Sequence, residues 1–348
     1  MDAMFTTPPR PVNVAALFPQ LAPLARMATR LHPRPGSPTV HDSSVGGPLL
    51  WPADEPWPYC DGPHDSRVAP VVHSPEDVRI RRHLRAAADE RQRLDPEAPQ
   101  WSPEERATLE RLAGRPWFDG PVPLLPVAQL YARDVPFPRP PDADLLQVLW
   151  CPFDHEEHAS PKTALFWRSR ATVTDVLGTP PEPPIVQQDW YLPEPCLLAP
   201  EQVTEYPHPR ELDEGLRSQL DDFSRWEPVD PALYSGYADD PGELYLNNLC
   251  TAPGWKTGGW TRWDPTDPVD RSCPECGTGQ VPLLTIASSE WDGGTRTWIA
   301  AADRSDPSPP PLGARDGNFT LIDIVGGHNL QLHACPADPT HPHMELIQ

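Results

Sequence analysis

The sequence has very little lysine and few basic residues for its length. Lys162 and Lys256 are its lysines, and the 28 Lys and Arg residues are outnumbered by 50 Asp and Glu residues, which gives a net charge of −22. Nucleic-acid binding depends on clustered basic side chains that neutralise phosphates. The composition therefore argues against a nucleic-acid partner.

The sequence also lacks long apolar segments. No run approaches the roughly 18 apolar residues that a membrane-spanning helix needs. Residues 1–12 lack the cationic start and apolar core of a signal peptide. We therefore expect a cytoplasmic protein without a membrane span.

Cysteine is sparse and odd in number. In a long chain that looks intracellular, cysteines are more often metal ligands than disulfide partners. The 7 cysteines are Cys60, Cys151, Cys196, Cys250, Cys273, Cys276 and Cys335. Proline, by contrast, is abundant at 52 of 348 residues, which predicts short strands and turns rather than long helices.

A sequence pattern occurs twice along the chain. Gly47 precedes Trp51 by the same spacing that separates Gly259 from Trp263, and a cysteine follows each tryptophan. The tetrapeptide VPLL then appears at 122–125 and at 281–284. Similar strands, LLQVLWCP (145–152) and NLQLHACP (329–336), end the two copies. The repetition predicts an internal duplication.

We predict an α+β protein made of two duplicated, mainly antiparallel β-sheet halves with a pseudo-twofold relation and a helical insertion in the first half. The two halves are expected to share one globule. The predicted segments are an N-terminal helix and loop (1–45), a first repeat (46–170) with its helical insertion (74–113), a connecting segment (171–245) and a second repeat (246–348).

Helices are predicted at four places. Residues 14–31 have apolar residues at helical spacing, although Pro19 and Pro23 should kink or shorten that helix. The sequences SPED and SPEE each combine a capping serine, a first-turn proline and acidic residues. They predict helices over about 75–94 and 103–113, and residues 209–222 predict a short amphipathic helix.

The first of the inserted helices carries the main basic cluster, RIRRHLR at 79–85. Two interpretations stay open for it. The arginines form either a solvated face paired with nearby acidic residues or a docking site for an acidic partner.

The strongest chemical signal is the CxxC of Cys273 and Cys276, followed by glycine. Two thiolates at this spacing in a tight turn converge on one tetrahedral ion, typically zinc. Cys335 with either His341 or His343 can complete the site. The first repeat offers a weaker counterpart, whose candidate ligands are Cys60, His64, Cys151 and His155 or His158. Whether the first repeat binds a metal stays open.

Other residues give no catalytic signature. The sequence contains no P-loop, no GxSxG and no HExxH, and we expect Cys196 and Cys250 to be core residues. A hydrolase with three zinc ligands and a bound water would need Glu275, Asp154 or Glu157 as its base. Several of the 13 tryptophans lie in the repeated motifs, where they either fill the core or line a cleft between the halves.

These motifs resemble the bacterial YwqG-like proteins, also called the domain of unknown function 1963 family. The resemblance rests on GG-x3-W with a following cysteine turn (46–60 and 258–276), on the LLxxA strands, and on LQ-x3-CP at the end of each half. It covers most of residues 40–155 and 245–343. It implies a duplicated β-rich fold in a bacterial cytoplasmic protein, and it implies no catalytic residues. The first copy departs from CxxC and reads CDGPH.

We therefore expect a zinc-stabilised binding module for a protein or peptide partner, in bacterial conflict or stress systems. A metal-dependent hydrolase with a three-ligand zinc is the alternative. The predicted ligands are Cys273, Cys276, Cys335 and His341.

Overall fold

The structure is a computed structural model that describes residues 6–64, 71–155, 160–229, 241–264, 266–305 and 317–348. Its helices are α1 (Val14–Leu17), α2 (Pro75–Leu94), α3 (Pro103–Arg111), α4 (Glu214–Leu220), α5 (Pro241–Tyr245) and α6 (Ala301–Ser305). None of these described helices combines the length and apolar character needed to cross a bilayer.

The strands are mostly short. They are β1 (Arg26–Arg30), β2 (Arg34–Pro35), β3 (Ser44–Val45), β4 (Tyr59–Cys60), β5 (Val122–Pro123), β6 (Leu125–Tyr131), β7 (Leu145–His155), β8 (Ser160–Arg168), β9 (Cys196–Leu197), β10 (Glu201–Glu205), β11 (Lys256–Gly258), β12 (Val281–Ala287), β13 (Asn329–Ala334) and β14 (Met344–Ile347).

The strands form two six-stranded sheets and one small ribbon. The first sheet has the order β2-β9-β3-β6-β7-β8, the second has the order β10-β1-β11-β12-β13-β14, and β4 pairs with β5. The strand pairs in all three are antiparallel. The predicted α+β class with mainly antiparallel sheets is therefore confirmed.

The N-terminal and connecting segments contribute strands to both sheets. Strand β1 lies in the second sheet and β2 in the first, whereas β9 lies in the first and β10 in the second. The predicted helix over 14–31 is therefore correct only at its start. Helix α1 ends at Leu17, a 3-10 helix containing both prolines spans Pro19–Leu24, and residues 26–30 are extended.

The predicted helical insertion is present between β4 and β5. Ser74 and Ser102 begin α2 and α3, and each serine exchanges hydrogen bonds with an acidic residue three positions later, as in a capping box. The amphipathic segment 209–222 forms a 3-10 turn followed by α4. Residues 318–324 form an irregular segment that leads into a 3-10 turn at Val325–Gly327.

The hairpin β6–β7 and the hairpin β12–β13 have the same register. Leu125 opposes Trp150 as Val281 opposes Ala334, and each hairpin has an irregularity one residue further along, after Pro126 and after Pro282. The two VPLL sequences are therefore not at equivalent positions. Val122 instead pairs with Cys60 in the small ribbon.

A repeated glutamine explains part of the LQ-x3-CP pattern. Gln147 donates to the carbonyl of Leu50 at 3.0 Å, and Gln331 donates to the carbonyl of Arg262 at 2.7 Å. In each case the bonded residue directly precedes a buried tryptophan, Trp51 or Trp263. The glutamines therefore fix the loop that follows each GG pair to its hairpin.

One apolar core joins the two sheets. Leu146, Val148 and Trp150 on β7 share it with Leu330 and Leu332 on β13. Because side chains alternate along a strand, the next residues on β7 face the other way. There Cys151 and Phe153 belong to a separate apolar cluster that includes Trp51, Trp57 and Val122. The junction of the sheets is thus filled by side chains, and the repeated tryptophans are mainly core residues.

Candidate metal centres

The four predicted ligands of the second half lie together, and we call them the second cluster. They are Cys273, Cys276, Cys335 and His341, and their donor atoms all lie within 4.8 Å of one another. Cys273 Sγ is 3.4 Å from His341 Nδ1, and Cys276 Sγ is 3.5 Å from Cys335 Sγ. Donor atoms around a tetrahedral zinc are roughly 3.3 to 3.8 Å apart. The cluster can therefore hold a metal ion.

A tight turn brings the first two cysteines together. The amide of Gly277 donates to the carbonyl of Cys273, and the amide of Cys273 donates to the carbonyl of Thr278, both at 2.8 Å. Gly277 has a φ of 72°, in the left-handed region that glycine adopts without strain. This closure orients both sulfurs toward the end of β13, where Cys335 is fully buried.

A neighbouring residue, Thr278, favours the thiolate form of one ligand of the second cluster. Hydrogen bonds from the hydroxyl and amide of Thr278 lower the pKa of Cys276 to about 6, so its thiolate is available near neutral pH. His341 has its Nδ1 toward Cys273, and its Nε2 is 3.8 Å from a carboxylate oxygen of Asp338. This separation is longer than a hydrogen bond, so the carboxylate does not fix the imidazole.

A first cluster of the same kind lies in the first half. It consists of Cys60, His64, Cys151 and His155, whose donor atoms also lie within 4.8 Å of one another. Cys151 Sγ is 3.2 Å from His64 Nε2, and Cys60 Sγ is 3.7 Å from His155 Nε2. The structure thus brings together the weaker candidates of the first repeat. His158, the alternative to His155, lies outside the described residues.

The two sulfurs of the first cluster also interact directly. The proximity of the two thiols lowers the pKa of Cys60 and raises the pKa of Cys151. His64 stacks on Phe153 with ring centroids 4.6 Å apart. The imidazole is therefore fixed by packing as well as by its contact with sulfur.

The remaining candidates have other roles. His343 Nε2 lies 2.7 Å from Thr163 Oγ1 and 3.6 Å from Glu345, so the choice between His341 and His343 falls on His341. Cys196 and Cys250 are fully buried, and each donates to a backbone carbonyl, as expected of core thiols.

Two of the three acids considered as hydrolase bases, Asp154 and Glu275, lie in the described part of the chain. Asp154 accepts hydrogen bonds from the Tyr191 hydroxyl at 2.5 Å and from Gln187 at 2.6 Å. Glu275 is exposed on the knuckle turn, and Glu157 lies outside the described residues. Asp154 is thus used to hold neighbouring side chains in place.

Sequence reasoning missed a set of buried charges beside the second sheet. Lys256 Nζ lies 2.6 Å from Glu205, with both side chains almost fully buried, and Glu205 also accepts from the amides of Ala252 and Trp260. The available signal was a lysine in an otherwise apolar stretch of a chain that has only two lysines. These contacts hold the second GG loop.

A groove of about 780 Å³ opens beside the second sheet. Its lining includes Arg262, Trp291, Arg296, Gly326, Gly327 and His328. None of the eight residues of the two clusters lines this groove.

No protein-family model matches the chain, and no curated protein matches it.

Proposed function

We propose that the chain is a zinc-stabilised binding protein that acts on a protein or peptide partner in the bacterial cytoplasm. The observation that carries the proposal is the separation of the second cluster from the groove. A catalytic metal has to face the cavity that receives the substrate. A metal that lies elsewhere and has a full set of protein ligands serves the fold.

Zinc is the metal that this donor set favours. Three thiolates are soft donors and an imidazole is a borderline one, and this set of three cysteines and one histidine is typical of structural zinc sites. Hard ions such as magnesium and calcium prefer carboxylate and carbonyl oxygens. The second cluster contains no carboxylate among its four donors.

The hydrolase alternative requires an open coordination position. A catalytic zinc generally has three protein ligands and a water, whereas the second cluster supplies four protein donors. Asp154 is engaged by Tyr191 and Gln187. These features favour a structural metal over a hydrolytic one.

Duplication and family membership belong to the same proposal. The common register of the two hairpins and the paired glutamines, Gln147 and Gln331, support descent of both halves from one unit. The resemblance to YwqG-like proteins remains a prediction, as does a role in bacterial conflict or stress.

The groove is the proposed binding surface. Trp291 offers an aromatic surface, Arg262 and Arg296 offer guanidinium donors, and Gly326 and Gly327 allow close approach of a partner's backbone. Aromatic and arginine side chains dominate the binding energy of many protein interfaces. A peptide segment with an aromatic side chain and polar neighbours fits this lining, in which Asp264 and Asp292 balance the two arginines.

The first test of the proposal concerns the metal. We expect X-ray absorption of the purified protein to show zinc surrounded by sulfur and nitrogen only. A bound oxygen ligand, together with zinc-dependent cleavage of ester or peptide substrates, would support the hydrolase instead.

The second test concerns the groove. Peptides selected from a random phage-displayed library should bind the wild type and Trp190→Ala equally, because Trp190 is 42% exposed and lies outside the groove. Binding to Trp291→Ala should be at least tenfold weaker. Selection of no peptide, or equal binding to both variants, would contradict a peptide-binding groove.

A further inference from the structure

We propose that the first cluster is a second zinc site, and that its ion fixes the root of the helical insertion to the first sheet. This inference rests on the zinc assigned to the second cluster under the proposed function. It concerns residues whose sequence spacing alone is a weak signal. Each chain would then carry two zinc ions of different ligand composition.

The geometry of the first cluster fits a tetrahedral ion. The two Sγ to Nε2 distances, 3.2 Å for Cys151 with His64 and 3.7 Å for Cys60 with His155, bracket the edge of roughly 3.5 Å expected between sulfur and nitrogen around zinc. Two thiolates and two imidazoles form one of the common structural zinc ligand sets. Two thiolates also balance the charge of the ion.

A metal explains the convergence of all four donors better than the alternatives do. A disulfide between Cys60 and Cys151 would leave both histidines without a purpose at this point. A nucleophilic Cys–His pair would need only two of the four residues, and Cys151 is fully buried and inaccessible to substrate. All seven cysteines are free thiols in this structure.

The position of the cluster indicates what the ion does. The insertion leaves the first half at β4 and returns at β5, two-residue strands in which Tyr59 pairs with Pro123 and Cys60 with Val122. A two-residue ribbon has little stability of its own. An ion shared by Cys60 and His64 on one side and by Cys151 and His155 on β7 ties this ribbon to the sheet.

The second half provides the natural comparison. There the chain passes from the knuckle to β12 through Gly277–Gln280, with no insertion. Loss of the first ion should therefore loosen the segment from 59 to 64 and the return segment before β5. Amide hydrogens of the second sheet should exchange as slowly as in the wild type.

The experiment measures zinc content and hydrogen exchange of the full chain. We expect two zinc ions in the wild type, one in His64→Asn and one in Cys335→Ser. If His64→Asn folds poorly, His155→Asn serves in its place, because His155 is the ligand at the end of β7. It should also lose one zinc ion. His83→Asn is the matched control, because His83 is an exposed histidine of the insertion outside both clusters.

Amide exchange should rise at least tenfold over residues 59–64 and 115–123 in His64→Asn, and strands β12 and β13 should be unaffected. Cobalt loading gives an independent readout. The sulfur-to-cobalt absorption of Cys335→Ser, which keeps a two-thiolate site, should be about two thirds of that of His64→Asn, which keeps a three-thiolate site.

The outcomes separate this inference from the proposed function. A single zinc in the wild type that is retained in His64→Asn but lost in Cys335→Ser would overturn the zinc site at the first cluster. The proposed function, which rests on the second cluster, would stand. No zinc in the wild type would overturn both. Zinc lost in His64→Asn without faster exchange at the root would overturn the anchoring role.

Discussion

The two Cys/His clusters occupy equivalent ends of two hairpins but use different ligands. Cys151 directly follows Trp150, the last residue of β7 that pairs with β6, and Cys335 directly follows Ala334, the last residue of β13 that pairs with β12. Their partners differ, because the first half supplies Cys60 and His64 from a ribbon and loop whereas the second supplies Cys273 and Cys276 from one tight turn. Strand pairing sets where a cluster lies, and the loop sets its chemistry.

The difference in the number of thiolates, two in the first cluster and three in the second, agrees with the surroundings. Two thiolates neutralise a divalent ion, and in the first cluster His64 stacks on Phe153 while Cys151 belongs to the same apolar cluster as Trp51 and Trp57. Three thiolates leave a net negative charge, and in the second cluster Cys276 is exposed to solvent. Because an uncompensated charge is costly to bury, the charged site belongs at the surface.

The largest expected effect comes from removing the buried thiol of the second cluster. Cys335→Ala should lower the free energy of unfolding by about 4 kcal/mol, since it removes a zinc ligand. Cys250→Ala is the control, because Cys250 is equally buried but belongs to neither cluster. Its loss should be about 1 kcal/mol.

Urea unfolding with and without a chelator measures the difference. The chelator should destabilise the wild type and Cys250→Ala more than it destabilises Cys335→Ala. Equal losses for the two variants would show that the second cluster contributes packing alone.

The sequence predicted the second cluster because its ligands combine a CxxC turn with a cysteine at the end of a strand. It left His341 and His343 open, since both follow Cys335 within reach. The structure resolves them through distant partners, Thr163 and Glu345, which engage His343. Such contacts between remote segments leave no local pattern in the sequence.

The same limit applies to parts of the fold. Arg30 is fully buried in β1 because the Thr7 hydroxyl and the carbonyl of Trp298 accept its hydrogen bonds. Both partners are distant from Arg30 in the sequence, so they leave no local pattern. The apolar spacing of 14–31 by itself predicts one continuous helix. The capping boxes of α2 and α3 are local, and there the sequence predicted the starts correctly.

The GG loops of the two halves offer the next comparison. A Cβ on Gly259 would lie 2.2 Å from Glu205 Oε2, and the residue has a φ of 72°. Gly259→Ala should therefore disturb the buried Lys256–Glu205 pair and cost about 3 kcal/mol. Gly47→Ala should cost only about 1 kcal/mol, because its φ is ordinary and its close neighbours are side-chain atoms of Pro38 and Ser44.

Thermal or urea unfolding of the two variants checks this difference. Similar losses at both glycines would mean that the two loops are equally tolerant. The buried ion pair would then not distinguish the second half from the first.

A smaller effect concerns the response to acid of His208, which begins the 3-10 turn after β10. Burial, with the nearby Arg210 and Arg262, lowers the pKa of His208 to about 4. Below pH 6.5 His208 is protonated in the unfolded chain but stays neutral in the folded chain. The free energy of unfolding therefore falls as the pH falls toward 4. Between pH 7.5 and 5.5 this histidine should cost about 1.4 kcal/mol.

The variant His208→Asn keeps a side-chain acceptor for the amide of Arg210 but does not titrate. The difference in urea stability between wild type and variant, followed from pH 7.5 to 5.5, isolates the histidine from acid release of a metal. A constant difference across this range would show that His208 is protonated equally in both states.

The smallest expected effect tests the insertion that only the first half contains. Arg79 pairs with Glu182, and both side chains are about half exposed, whereas Arg82 is largely buried and donates to the carbonyls of Asp189 and Leu192. The basic cluster of α2 is thus paired within the chain at these positions. Arg79→Ala should change the unfolding free energy by no more than about 0.5 kcal/mol, because exposed ion pairs are worth little. Arg82→Ala should cost more, since two carbonyls lose their donor. Equal losses of unfolding free energy in Arg79→Ala and Arg82→Ala would mean that α2 is held to residues 182–194 by charge alone. The attachment of the insertion to the first sheet would then depend more strongly on the metal at the first cluster.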